Sequence, residues 1–365
     1  HTIFHQANKY RFIEAAAESY YTSPYVSNFD TYAYKFSKNL SNTISLVFDK
    51  KTFKLDAGFR HQLINLGTDR VLPTAVGVVI PTENKENRLG AVGNLEIKLW
   101  DKVDVKSFLE YSNGKSFGNY LRSENLLKLE PIKGYILDAH VNFQSAIPSF
   151  NYLMNPSFYQ NFNYNFGGAK NQSITEIGGK VNLKWFESSV FANYFRIDNF
   201  AYFGTDFLPK QSSETVNISQ IGGEATLKYW KLNFNTKLLF QSALSQKELL
   251  PMPNFVGRLN VFYQSKAFKN AAEIQTGFKV YYFSKFKSRD YFPVLNEFVL
   301  SNSGTSIGGQ PIADAYFNMK VKRMLIYAEA QHFNTTFMKN KSFAAPNYPI
   351  YDFRLNLGIV WYLFH

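Results

Sequence analysis

Cysteine is absent from the 365-residue chain, so neither a disulfide framework nor a thiolate metal site is available to it. The absence is compatible with an oxidising periplasm without selecting one. No stretch approaches the ~18 consecutive apolar residues of a spanning helix. The longest candidates, such as Ala75 to Ile80, are far too short, which excludes a helical membrane protein. The start carries neither a charged n-region nor an apolar h-region, so the expectation is a mature or truncated chain. No basic run of five residues occurs, although Lys and Arg outnumber Asp and Glu by 40 to 28, a formal charge of +12. Such a balance can serve nucleic acid or anionic headgroups. Here the cations stand singly with acids between them, which reads as dispersed charge on wet faces, with no nucleic-acid partner.

Aromatic residues are plentiful, at 18% of the chain with 36 Phe and 24 Tyr, a composition that suits strands. A mean hydropathy of -0.25 does not argue against a membrane barrel, whose strands alternate and hide from averaging. Period-two alternation predicts sixteen strands, at 1–11, 39–48, 53–63, 89–100, 103–112, 122–130, 134–147, 173–186, 189–203, 215–229, 231–244, 254–265, 271–285, 312–322, 324–335 and 351–364. Many exceed the usual globular strand of ~5–6 residues and match the ~9–11 that cross a bilayer. Short connections (49–52, 101–102, 131–133, 187–188, 230–231, 266–270, 323–324) alternate with long ones such as 12–38, 64–88, 148–172, 286–311 and 336–350. Up-and-down outer-membrane barrels alternate in this way; Greek-key sandwiches have no reason to.

Two independent features agree. None of the 13 prolines falls within a predicted strand, as expected where every N–H is needed for a ladder. The 4 tryptophans, Trp100, Trp185, Trp230 and Trp361, all fall at the short-turn end, where a periplasmic aromatic girdle belongs. The segments 174–190 and 218–234 also echo each other, like hairpin units of one repeating wall.

Within the strands two faces separate. Phe53, Leu55, Ala57 and Phe59 alternate with Lys54, Asp56, Gly58 and Arg60, and Leu232, Phe234, Leu238 and Phe240 with Asn233, Asn235, Lys237 and Gln241. Sixteen strands enclose a lumen too wide for side chains to fill, so the polar face should be the inner one and the apolar face should meet lipid. The predicted lumen lining includes Lys54, Arg60, Lys98, Lys106, Lys180, Lys184, Lys228, Lys237, Arg258, Lys279, Lys320, Lys322 and Arg354. Its acids are Asp56, Glu96, Asp104, Glu110, Asp138, Glu224, Glu273, Asp314 and Glu329. The excess of cations suggests a weak anion preference, against the weightier reading that facing charges pair and hold the wall. In the closing strand Leu355, Leu357, Ile359, Trp361 and Leu363 should face lipid and Arg354 and Asn356 the lumen. That strand should pair with the first to close the barrel.

Candidate chemistry is sparse. None of the 6 histidines has the spacing of a helical zinc site, so neither metal nor cofactor is expected. Asp138 and His140 share a strand face and offer a base with its orienter, but no Gly-x-Ser-x-Gly accompanies them; a hydrogen-bonded structural pair is the better reading, and no enzyme is expected. Ile-Gly-Gly recurs at 177–179, 221–223 and 307–309 without the Lys-Ser/Thr and helix of a phosphate loop. Glycine there should relieve crowding. The aromatic strand 276–283 fits lipid contact better than RNA.

The last third, "PIADAYFNMKVKRMLIYAEAQHFN" (311–334) and "NYPIYDFRLNLGIVWYLFH" (347–365), resembles the porin-like outer-membrane barrels of Bacteroidota. Pro311, Asp314, Phe317, Lys322, Arg323, Glu329, Tyr348, Pro349, Gly358 and Trp361 carry the match, with "LLPMPNFVGRLNVFYQSKAF" (249–268) and "YFPVLNEF" (291–298) in support. The resemblance implies an integral outer-membrane β-barrel that passes small solutes, in contact with outer-membrane lipid and lipopolysaccharide. Chains of this kind extend further N-terminally, so it also implies more than sixteen strands where residues are missing. A final aromatic strand is, by the same resemblance, a signal for the insertion machinery, from which Phe364–His365 departs slightly.

The expectation is therefore all-β, with residues 1–365 forming one transmembrane up-and-down antiparallel β-barrel domain of about sixteen strands, with short periplasmic turns and long extracellular loops. The expected function is passive diffusion of small hydrophilic solutes. The alternative is a loop-plugged scaffold, or a barrel that binds a protein partner in an outer-membrane secretion or surface-lipoprotein complex; the Phe-, Tyr- and Asn-rich stretch 148–166 motivates it.

Overall fold

The computed structural model describes residues 1–14, 31–68, 83–157, 159–338 and 343–363. The apolar run Ala75 to Ile80, Phe364 and His365 lie outside the described residues. Sixteen strands form one sheet, each paired with its neighbours in chain order. They are β1 (Thr2–Glu14), β2 (Thr31–Lys50), β3 (Phe53–Gly67), β4 (Glu83–Leu99), β5 (Val103–Asn113), β6 (Tyr120–Ile132), β7 (Tyr135–Ala146) and β8 (Gln172–Leu183). The second half comprises β9 (Ser188–Asp198), β10 (Val216–Tyr229), β11 (Leu232–Ala243), β12 (Phe255–Ala267), β13 (Ala272–Phe283), β14 (Ile312–Val321), β15 (Met324–Gln331) and β16 (Arg354–Trp361). All these pairings are antiparallel, so the sheet is a continuous meander. Each strand anticipated from alternation is present.

The boundaries move for identifiable reasons. β2 starts at Thr31 instead of 39, along a stretch where Tyr32, Tyr34 and Phe36 alternate with Ala33, Lys35 and Ser37, and β4 starts at Glu83 instead of 89, where both faces are polar and alternation has nothing to register. β8 stops at Leu183 because Phe186 and Glu187 take left-handed backbone, and β9 stops at Asp198 because Asn199 does. β15 ends at Gln331, where His332 at φ 52 turns the chain into the short helix Phe333–Thr336.

Period two places every second side chain on a common face across the whole sheet. One face carries Leu46 (84% exposed), Phe59, Leu89, Leu109, Ile177, Ile221, Phe240, Leu357 and Ile359, all solvent-accessible in the isolated chain. An apolar surface of this extent far exceeds the few hundred Å² of a typical soluble protein; it is a face built for lipid. The opposite face carries the charges and amides.

At the short-turn end the backbone takes left-handed φ at Trp100, Asp101, Trp230, Phe268, Lys269, Asn270 and Lys322, as tight hairpins require. Glycine or asparagine is the usual residue there. Trp100 and Trp230 occupy such positions while 82% and 78% exposed, with most of each ring open to contacts beyond the chain.

Glycine makes room on the polar face. A Cβ on Gly178 would stand 2.7 Å from the His140 ring, and one on Gly222 would stand 2.6 Å from the Phe191 ring. In the third Ile-Gly-Gly repeat a Cβ on Gly308 would meet the Phe283 ring at 2.5 Å, so all three repeats seat a side chain of a neighbouring strand.

One expectation fails. β1 pairs only with β2 and β16 only with β15, and no ladder joins β1 to β16 among the described residues. β1 stays exposed along most of its length.

Candidate functional site

The polar face is laced by side-chain pairs that the register sets up. Arg60 on β3 reaches Glu110 on β5 at 2.5 Å and donates to Thr43 Oγ1 at 3.1 Å. Lys54 meets Asp49 at 3.3 Å and Lys106 meets Glu96 at 3.9 Å. Lys237 is bonded to Glu224, with Lys180 at 4.0 Å from the same carboxylate. Lys279 stands 3.8 Å from Glu329 and 4.8 Å from the centre of the Tyr316 ring. Lys228 is bonded to Glu187. Lys98 and Lys320 face Asp104 and Glu273 across their ladders, and neither they nor Lys184 form an ion pair among the described residues. Lys322 lies in a turn, and Arg354 covers the Tyr351 ring at 4.6 Å. Apart from Arg60–Glu110, whose carboxylate is buried, these pairs are partly or largely exposed and contribute about 0–1 kcal/mol each. They leave a wall whose charge is locally compensated.

Asp138 and His140 do not form a dyad. His140 Nε2 lies 3.2 Å from Glu176 Oε1, Asn142 donates to the same carboxylate at 3.0 Å, and Asp138 instead accepts from Asn182 at 3.4 Å. Glu176 stands opposite Asn142 and diagonal to His140 across the β7–β8 ladder, so one carboxylate takes both side chains. Arg258 donates to the neutral amide of Asn235 at 2.6 Å and forms no ion pair among the described residues.

At the end away from the tryptophans, three connections fold into one layer. Ala201–Phe203 pairs with Pro209–Gln211 and, in parallel, with Glu297–Val299, which pairs with Asp290–Phe292. Beneath this small sheet Tyr159, Phe162, Phe203, Phe292, Val294, Leu295 and Val299 form a dry core. Phe162 meets Phe292 edge-on at 4.7 Å and Phe207 at 5.4 Å, and Tyr152 stacks on Phe203 at 4.6 Å. Each such ring pair adds about 0.5–1.5 kcal/mol to its area burial.

The layer docks on the polar side of the first two strands. Tyr10 donates to the Pro293 carbonyl, and Phe12 packs on the core. Lys35, only 2% exposed, donates to Asn155 Oδ1 at 3.3 Å and Leu295 O at 3.2 Å, between the rings of Tyr10 and Phe150. Residues from β2, from the connection after β7 and from the connection before β14 therefore meet, and the layer crosses over the polar face.

A second latch holds the β5–β6 connection. Arg88 and Glu86, both buried, pair at 2.5 Å. Glu86 accepts from the Ser116 and Phe117 amides at 2.6 and 2.7 Å, and Arg88 donates to the Phe117 and Gly118 carbonyls at 2.9 Å.

Burial, with Glu297 nearby, pushes the Tyr152 hydroxyl up to about 12 and Tyr164 well above its ordinary value. In a released loop these phenols titrate near the ordinary value of about 10. The docked layer therefore holds its protons more tightly. Its full stability is present below pH ~10 and is lost as pH rises toward the raised values. Near-ultraviolet circular dichroism of the folded protein should accordingly fall between pH ~10 and ~12. In a Tyr152→Phe/Tyr164→Phe variant that fall should be displaced to higher pH; an identical profile would contradict the assignment.

The family described as "Putative porin" matches the chain over residues 1–365. Among solved structures, a mutant of the ferric enterobactin receptor from Pseudomonas aeruginosa in complex with enterobactin aligns at a TM-score of 0.65 and 14% identity, covering 94% of this chain and 55% of that one. The siderophore receptor PirA from Acinetobacter baumannii aligns at 0.66 and 9% identity, covering 98% and 59%. The FrpB iron transporter from Neisseria meningitidis aligns at 0.65 and 12% identity, covering 97% and 58%. The chain thus spans little more than half the length of these structures, and the likeness is one of fold. No functionally curated protein matches it.

Proposed function

Since the chain belongs to the family described as "Putative porin" and has the fold of an integral outer-membrane β-barrel, we propose that it passes small hydrophilic solutes by passive diffusion along its polar face. The observation that carries this reading is the division of sixteen strands into an exposed apolar face and an opposite face of compensated charges and amides. A wet wall of mixed charge admits polar solutes without holding them. The tryptophan-bearing short turns lie on the periplasmic side, and Trp100, Trp185, Trp230 and Trp361 sit at the headgroups. The loop layer lies outside and narrows the mouth. Lys54, Arg60, Lys106, Lys180, Lys237 and Lys279, each with a carboxylate partner, hold the wall, so ion selectivity is weak. The partners are outer-membrane lipid and lipopolysaccharide on the apolar face and solute on the polar one. No catalytic step is assigned, because His140 is committed to Glu176.

The aromatic loop layer supports a second reading, a plugged scaffold that binds a protein partner in an outer-membrane complex. Swelling of liposomes holding the purified protein separates the two. For a diffusion channel, pentoses should enter faster than disaccharides; a scaffold would swell no faster than empty liposomes.

A further inference from the structure

One patch of the polar face is not polar. Phe191 on β9 stands opposite Gly222 on β10, then Leu239 on β11, Val256 on β12 and Phe283 on β13, in unbroken register. This apolar row runs beside a row of Glu224, Lys237, Arg258 and Tyr281. Gly222 supplies no side chain, the Phe191 ring leans over it, and the Phe283 ring is seated against Gly308 of the loop layer. A recess of about 530 Å³ results, lined by these side chains and by Lys180, a size typical of small-ligand sites (roughly 300–1,000 Å³).

The charge around the recess is unbalanced. Lys180 and Lys237 share the single carboxylate of Glu224. Arg258 donates to the Asn235 amide, and its Nε is buried without an acceptor. The guanidinium therefore has no carboxylate partner among the described residues, and its terminal amines can take a ligand oxygen in a charge-assisted bond. An apolar floor beside three cations with one carboxylate among them is complementary to one kind of molecule.

We infer that this recess binds a small organic anion with a carboxylate on an apolar body of aromatic size. The carboxylate meets Arg258 and Lys237, and the body lies along Phe191, Leu239 and Val256. The inference rests on the polar face being the wetted inner wall, and it adds a solute class to the proposed channel.

The test uses the full chain in lipid nanodiscs, with 2-naphthoate and its neutral counterpart 2-naphthol as probes and empty nanodiscs as the baseline. Isothermal titration at neutral pH should show naphthoate binding at least about tenfold tighter than naphthol, the span of one charge-assisted hydrogen bond. Arg258→Gln should remove that preference while leaving naphthol unchanged, and Arg258→Lys should keep most of it. Leu239→Asn should weaken both probes. Equal affinity for the two probes, or an unchanged preference in a folded Arg258→Gln variant, overturns the inference. Should Arg258→Gln not fold, Lys237→Gln and the wild-type comparison of the probes decide the question in the same way. Conductance without probe is recorded in parallel. A protein that conducts but does not prefer naphthoate refutes the site alone; one that prefers naphthoate but stays closed to ions refutes the channel alone.

Discussion

Replacing Phe203 by alanine should raise the single-channel conductance several-fold while leaving the wall intact. Phe203 is 0% exposed, stacks on Tyr152 at 4.6 Å and lies 6.2 Å from Tyr164. It also sits in the strand that joins the Pro209–Gln211 and Glu297–Val299 segments. Truncating a buried phenylalanine costs about 3–5 kcal/mol. Besides its own small ladders and a few side-chain bonds such as Asn151–Glu297, the loop layer is held by this core and its contacts to Tyr10, Phe12 and Lys35, so a loss of that size should undock it. The sixteen-strand ladder does not use Phe203, and the denaturant midpoint of the sheet should not change. Susceptibility of residues 284–311 to added protease should rise with the conductance. Unchanged conductance in a variant whose loops have become protease-sensitive would show that the layer does not limit flow.

Removing one member of the Glu86–Arg88 pair should be the most destabilising single change at the loop end of the wall. Both side chains are buried, and Glu86 also holds the Ser116 and Phe117 amides. Glu86→Ala leaves the buried Arg88 charge without its counter-ion, bonded only to the Phe117 and Gly118 carbonyls, and two amides without an acceptor, at a cost of about 3–5 kcal/mol. Replacing both residues with apolar side chains of similar volume should recover much of the loss, because the desolvation penalty disappears with the charges. Urea unfolding of the two single variants and the double variant measures this coupling. Additive losses would mean that the pair does not act as a unit.

The wall is legible in the sequence because it is made of local pattern. Alternation such as Phe53–Arg60 and Leu232–Gln241 marks a two-faced strand wherever one face is apolar, and it falls silent at 83–88, where both faces are polar. Glu86 and Arg88 stand two apart with opposite charge, a same-face spacing that the sequence does display. The partners of His140 and Arg60 depend on which residue lies across the ladder, and register is not written in either strand alone. The apolar row of Phe191, Leu239 and Val256 is hidden for the same reason. The loop layer joins residues near 10, 35, 155, 203 and 295, and a lone lysine such as Lys35 in a predicted loop gives no sign that it will be buried. An aromatic last strand suggests closure between β1 and β16, but strand pairing depends on curvature that no single strand records.

Whether the polar face of this porin-family chain is a conducting path can be read from single molecules. The measurement is insertion of the purified full chain into planar bilayers bathed in potassium chloride. A conducting polar face predicts discrete, stable and ohmic conductance steps with weak ion selectivity. Correctly folded protein that inserts in both leaflet orientations and never conducts would contradict it.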